Sequence, residues 1–228
     1  MFSKYRSGGI VLKKYNQGES DRIFTIYTEE FGKISLFAKS IRKESSKLKS
    51  GSEPFSLSEI EFIEGRSRRT LTDIRVIDRY RKINSDLKKI ALAQKIVDDL
   101  DRLIKGEEKD EKVWELLVKV FSDIESSRGL SAYYRFFWNL VTILGYGPEL
   151  HQCSRCHNKI DLKDLRLSPS DGGLVCKKCS SESVSFSIEK RALKMMLSYL
   201  NGDLVKINSD DKRMLWSMSQ NYLFSIES

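Results

Sequence analysis

The chain has 228 residues, 40% of them apolar, enough to bury a core in one or two domains. Forty basic against 32 acidic side chains give a net charge of +8 and a pI near 9.2, which favours anionic partners. No apolar run approaches the ~18 residues of a membrane span, and Met1–Arg6 is not followed by the apolar stretch of a secretory signal, so a cytosolic protein is expected.

Residues 1 to about 80 read as β. Strands are predicted at Ser7–Tyr15, Asp21–Tyr27, Lys33–Ala38, Phe55–Ile63 and Arg69–Asp78, punctuated by Gln17-Gly18, Phe31-Gly32 and Glu64-Gly65. In the fourth run Phe55 and Leu57 alternate in one phase, Ile60 and Phe62 in the other, which predicts a β-bulge there. Five short strands suit a small closed barrel, an oligonucleotide-binding (OB) fold or an SH3-like barrel.

From about residue 84 the period changes to that of helices. Leu87, Ile90, Ala91, Ile96, Val97, Leu100 and Ile104 recur behind the capping candidates Asn84, Ser85 and Asp86. A second helix carries Val113 to Ile124, and a third runs from about Leu130 to Leu144, where Gly145-Tyr-Gly-Pro148 stops it. Ile188–Leu200 and Asp210–Phe224 complete the set. The expected class is α+β: a barrel over 1–80 and a helical domain over 81–228, with a cysteine-bearing insert at about 150–182. Charge follows the division. Residues 1–80 carry a net +5, residues 81–150 zero, and residues 151–228 +3.

All four cysteines lie in the insert. Cys153-Ser-Arg-Cys156 and Cys176-Lys-Lys-Cys179 form C-x₂-C-x₁₉-C-x₂-C, a spacing that lets two tight turns close a tetrahedron of sulfurs. Four thiolates leave no open position, so one structural Zn²⁺ per chain is expected. It would bring the net charge to about +6, since a tetrathiolate zinc carries −2. The insert offers few apolar residues, so metal binding is expected to supply its folding energy.

Ser40–Gly51 holds Arg42, Lys43, Lys47 and Lys49, with Lys39 just before it; Arg66, Arg68 and Arg69 precede the fifth strand. Loops at a barrel mouth are where OB-folds hold single strands, and these eight cations could neutralise phosphates. They would equally suit a solvated loop with no partner. Tyr133, Tyr134, Phe136, Phe137 and Trp138 crowd the third helix. Three of the five rings are expected in the core, leaving one or two at the surface beside Arg135 as an apolar pocket suited to an acidic, aromatic-ended peptide. Enzymatic motifs are missing: there is no P-loop, His151 and His157 belong to no H-E-x-x-H or triad, and no carboxylate spacing marks a nuclease pair.

Gly9-Ile-Val-Leu12, Glu19-Ser-Asp-Arg-Ile23, Tyr27-Thr-Glu-Glu-Phe-Gly32, Phe37-Ala-Lys-Ser-Ile-Arg42, Ser46-Lys-Leu48 and Pro54-Phe55 resemble the N-terminal barrel of the RecO family. Leu144-Gly-Tyr-Gly-Pro148, the first cysteine pair and Gly172-Gly-Leu-Val-Cys-x₂-Cys179 resemble its helical domain and zinc insert. The resemblance spans nearly the whole chain in the right order.

It implies an OB-fold and a non-catalytic mediator of DNA repair and recombination. Such a mediator binds single- and double-stranded DNA and anneals complementary strands. With RecR and single-strand-binding protein, it helps RecA load on coated strands in the bacterial cytoplasm, at the nucleoid. It also places the barrel cations on DNA and Arg135 where the family grips the acidic C-terminal tail of single-strand-binding protein. One position departs from the family: the glycine usual after the first cysteine pair is His157, which tolerates positive φ better than most residues. Rival classes are a zinc-ribbon regulator of transcription or translation, which needs a specific site, and a nuclease or hydrolase built on scattered carboxylates.

Overall fold

A computed structural model describes residues 3–180 and 185–227, so Met1, Phe2 and the middle of the serine-rich stretch Ser180–Ser187 lie outside the described residues. The chain forms two compact units, residues 1–127 and 128–228.

The first unit is built on five strands, β1 (Lys4–Gln17), β2 (Asp21–Thr28), β3 (Gly32–Ala38), β4 (Leu57–Glu64) and β5 (Arg69–Asp78). They close into a barrel in the order β1-β2-β3-β5-β4, with β4 returning to β1. All pairs are antiparallel except β3 with β5, which join in parallel at Phe37 and Thr70. That Greek-key closure makes the barrel OB-like. Alternation fills the interior: Phe24 and Ile26 of β2, Ile34, Leu36 and Ala38 of β3, Ile60 and Phe62 of β4, and Leu71 and Ile74 of β5 form one buried cluster.

The bulge expected in the fourth strand is not there. Phe55 lies ahead of β4 at φ 65, packed on Phe121 with ring centroids 5.9 Å apart. Within β4 the inward residues Ser58, Ile60 and Phe62 keep one phase. The register shifts fall elsewhere, at Leu12 of β1 and at Thr72 and Ile77 of β5. The apparent slip arose because Phe55 belongs to a turn anchored on a helix.

Helices α1 (Arg81–Asn84), α2 (Leu87–Leu103) and α3 (Glu111–Glu125) follow the barrel in the same unit. Of the three capping candidates, Asp86 caps α2, accepting from the Lys88 N–H; Asp110 caps α3 through Val113. Chain character therefore changes near residue 80, while compactness divides at 127. The charged stretch Lys105–Lys112 has a structural use. Glu107 pairs with Arg69 of β5 at 2.7 Å and Lys109 with Glu30 at 2.8 Å, tying the α2–α3 connection to the barrel.

The second unit comprises α4 (Gly129–Ile143), a small sheet, α5 (Lys190–Leu200) and α6 (Ser209–Glu227). The sheet order is β7 (Gly173–Val175), β6 (Arg166–Ser168), β8 (Phe186–Ser187). Helix α4 ends where Gly145 takes φ 87; the Tyr146 N–H reaches the Val141 carbonyl at 2.7 Å and the Gly145 N–H that of Thr142. All five aromatic residues of α4 are fully buried, against the expectation that one or two surface. The reason is that α4 is enclosed on several sides: Tyr134 meets Tyr199 of α5, and Trp138 meets Tyr222 of α6 with centroids 5.2 Å apart.

Candidate metal centre and nucleic-acid interface

The insert is better anchored than its composition implied. Leu150, Leu165, Leu167, Leu174 and Val175 are buried, so burial contributes to holding it. Gly173, at φ 151, lies so close to Glu149 that a Cβ would sit 2.4 Å from its carbonyl oxygen; only glycine allows β7 to run into the second cysteine turn there.

The first turn closes with the His157 N–H donating to the Cys153 carbonyl at 2.8 Å, and His157 adopts φ 57, the left-handed geometry usually given to glycine. In the second turn the Cys179 and Ser180 N–H groups donate to the Cys176 carbonyl at 3.0 and 2.9 Å. The four Sγ atoms of Cys153, Cys156, Cys176 and Cys179 all lie within 4.8 Å of one another, and those of Cys156 and Cys176 are 3.8 Å apart. A tetrahedral Zn²⁺ with sulfurs at about 2.3 Å needs sulfur separations of about 3.8 Å, which is the Cys156–Cys176 distance.

The thiols of the cluster differ in their electrostatics. Burial opposes ionisation of Cys153, yet backbone N–H groups of Cys156, Cys176 and Arg155 outweigh it and bring the thiol down to about 6. Cys179 is pushed up to about 12, first by hydrogen bonding to the Cys176 and Cys156 sulfurs. Four sulfurs this close do not all ionise unless a positive ion sits among them.

On the barrel, the stretch that follows β3 is ordered by two apolar anchors. Ile41 is fully buried in the barrel core, and Leu48, on a 3₁₀ turn at Lys47–Gly51, packs against it. Around these anchors Arg42, Lys43, Lys47 and Lys49 are exposed, as is Lys39 before them. Arg42 is positioned further: its backbone N–H donates to the Ser20 carbonyl at 2.9 Å, and its guanidinium to that of Gly18 in the β1–β2 turn.

The three arginines of the β4–β5 connection divide. Arg69 is held by Glu64 at 3.1 Å and Glu107 at 2.7 Å, so its charge is already matched and a phosphate would have to displace two carboxylates. Within the expected phosphate set it therefore differs from Arg66 and Arg68. Arg66 and Arg68 are exposed, and neither forms an ion pair among the described residues. Arg68 lies over the Phe37 ring, its guanidinium carbon 3.6 Å from the centroid. The aromatic partner of this contact was not singled out from sequence; the outward phase of Phe37 between the inward Leu36 and Ala38 was the available signal.

Arg135 is 4% exposed, and its Nη1 donates to the Gly202 carbonyl just past α5, at 3.5 Å. The α4 rings beside it are interior, so the expected surface pocket for an acidic tail is not formed there. Burial weighs against a direct grip on a peptide.

A closed five-stranded barrel with exposed cations, followed in the chain by a helical unit with a tetracysteine cluster, defines an OB-fold protein with a candidate metal centre. Family models described as recombination protein O N terminal and C terminal match residues 1–80 and 84–223, and the chain belongs to the RecO family. Among similar proteins, the DNA repair protein RecO of Dehalococcoides mccartyi is 28% identical over 204 residues, 89% of this chain and 81% of that one. That of Syntrophomonas wolfei is 32% identical over 196 residues, 84% of this chain and 78% of its own. That of Caldanaerobacter subterraneus is 29% identical over 206 residues, 89% and 82% respectively.

Proposed function

We propose that this protein is a non-catalytic DNA repair and recombination mediator. It binds single- and double-stranded DNA through its barrel and anneals complementary strands. It works with RecR on strands coated by single-strand-binding protein, whose C-terminal tail it engages, and so helps RecA load. The observation that carries the reading is the OB-like barrel with Lys39, Arg42, Lys43, Lys49, Arg66 and Arg68 exposed and, among the described residues, without an acidic ion-pair partner. Cations of that kind can release counterions from a phosphate backbone at no cost in broken ion pairs.

One structural Zn²⁺ at Cys153, Cys156, Cys176 and Cys179 completes the proposal; the donor set supports it because four thiolates leave no position for a substrate or water. A cytoplasmic, nucleoid-associated location accords with this role. Among the described residues, no helix is long and apolar enough to cross a membrane.

The deciding experiment is annealing of complementary oligonucleotides, each coated with single-strand-binding protein, with and without this chain. Acceleration without cleavage supports the mediator reading. Binding confined to one duplex or RNA sequence supports a zinc-ribbon regulator instead, and Mg²⁺-dependent cleavage a nuclease.

A further inference from the structure

The outer face of β3 carries an aromatic ring that stands outside the barrel's core cluster. Ile34, Leu36 and Ala38 point into the core, whereas Ser35 and Phe37 face outward by strand alternation. Ser35 is exposed, whereas Phe37 is only 7% exposed, and the Arg68 guanidinium carbon lies over its ring at 3.6 Å. Arg68 stands on the β4–β5 turn, closed by the Gly65 N–H donating to its carbonyl at 3.0 Å. Beside this stack lies a cleft of about 420 Å³, lined by Ser35, Glu64, Arg66, Arg68, Arg69 and Glu107 among others. Its two carboxylates, Glu64 and Glu107, are both engaged by Arg69, which limits their repulsion of an anionic chain.

From this geometry we propose that Arg68, backed by Phe37, is a stacking platform for an unpaired nucleobase, and that Arg66 contacts the adjoining phosphate. The inference rests on the nucleic-acid-binding reading of the barrel and specifies how a single strand is told from a duplex. A guanidinium is planar and presents two faces. One is spent on Phe37, and the other, on an exposed side chain, is open to a second π-system. Bases in a duplex have their faces covered by their neighbours, so only a splayed-out or single-stranded base can take the position. The outer face of strands 2 and 3, beside the β4–β5 turn, is where an OB-fold receives an oligonucleotide. Phe37 fixes the tilt of the guanidinium, and the ion-paired Arg69 anchors the strand that follows the turn.

The test uses the full chain and three variants, Arg68→Lys, Phe37→Leu and Arg66→Ala, each first checked by thermal melting. The probes are a single-stranded oligonucleotide containing 2-aminopurine and a blunt duplex of equal length. Binding of the single strand to the unmodified protein should quench the 2-aminopurine emission. Arg68→Lys keeps the charge and loses the plane. It should weaken single-strand binding roughly tenfold and abolish most of the quench, while leaving the salt dependence and duplex affinity unchanged. Phe37→Leu should reproduce this in milder form. Arg66→Ala should keep the quench and lower the salt slope by about 0.7. Unchanged single-strand affinity and quench in Arg68→Lys overturn the platform, as does an equal loss for single strand and duplex with a flattened slope. Binding by the unmodified protein without quenching overturns the platform alone; absence of any DNA binding overturns the proposed function with it.

Discussion

Lys33 of β3 donates to the Asp101 carboxylate of α2 at 2.8 Å, and Lys13 of β1 reaches the other oxygen of the same carboxylate at the same distance. Lys33 also donates to the Ile104 carbonyl at the end of α2, so one acid and two bases fasten that helix to the barrel within the first unit. The Lys13 hydrogen bond, then that from Lys33, holds the Asp101 carboxyl down to about 2.

That depression sets a pH window. An unfolded aspartate titrates near 3.9, so the stabilisation is complete well above that value and disappears as pH falls through about 2. The Asp101 side chain is 39% exposed, and solvent screening reduces the contribution to about 1 kcal/mol. Asp101→Asn leaves two ammonium groups facing each other and should cost about 1–2 kcal/mol at pH 7. Urea melts of both proteins from pH 7 to pH 2.5 check this: the gap between them should narrow below pH 4.

The cysteine centre predicts one zinc per chain by metal analysis of protein purified without chelator. Zinc is worth about 10–16 kcal/mol in isolated finger peptides, but here Leu165, Leu167, Leu174 and Val175 are also buried. Cys156→Ser should therefore abolish stoichiometric zinc and expose the 150–180 segment to protease, while the helices of the second unit persist by circular dichroism. Full zinc retention in Cys156→Ser would argue against this ligand set.

For the barrel, Arg42→Ala, Lys43→Ala and Lys49→Ala together should remove about three phosphate contacts. The slope of log K against log salt for a single strand should then become shallower by about 2. Affinity should fall alike for unrelated sequences. An unaltered slope in the triple variant, measured by anisotropy across a salt series, would place the DNA on another surface.

Arg135 should behave as an interior residue. Arg135→Ala opens a cavity beside α5 and removes the donor to Gly202, so a loss of roughly 2–4 kcal/mol is expected. Capture of the acidic tail of single-strand-binding protein should stay within twofold at temperatures where the variant is folded. A melting curve like that of the unmodified protein combined with lost tail binding would restore Arg135 to the recognition site.

Much of this was written in local sequence. Strand and helix periods placed all five barrel strands and the five longer helices to within a few residues, because alternation and 3.6-residue spacing are local properties. The cysteine turns were equally legible, since C-x₂-C needs only its own backbone to aim two sulfurs at one point. His157 could stand in for glycine for the same local reason.

Tertiary structure decided what depends on residues distant in the chain. Phe55 read as a strand residue until Phe121, 66 positions away, gave it a partner. The rings of α4 read as partly exposed until α5 and α6 closed over them, and Arg135 went inside with them. Among eight similar-looking cations, only the folded barrel withdrew Arg69 into the carboxylates of Glu64 and Glu107 and laid Arg68 on Phe37. A charge or a ring carries the same letter whether solvated, paired or stacked, and which of these holds is set by neighbours that only long-range contacts bring within a few ångströms.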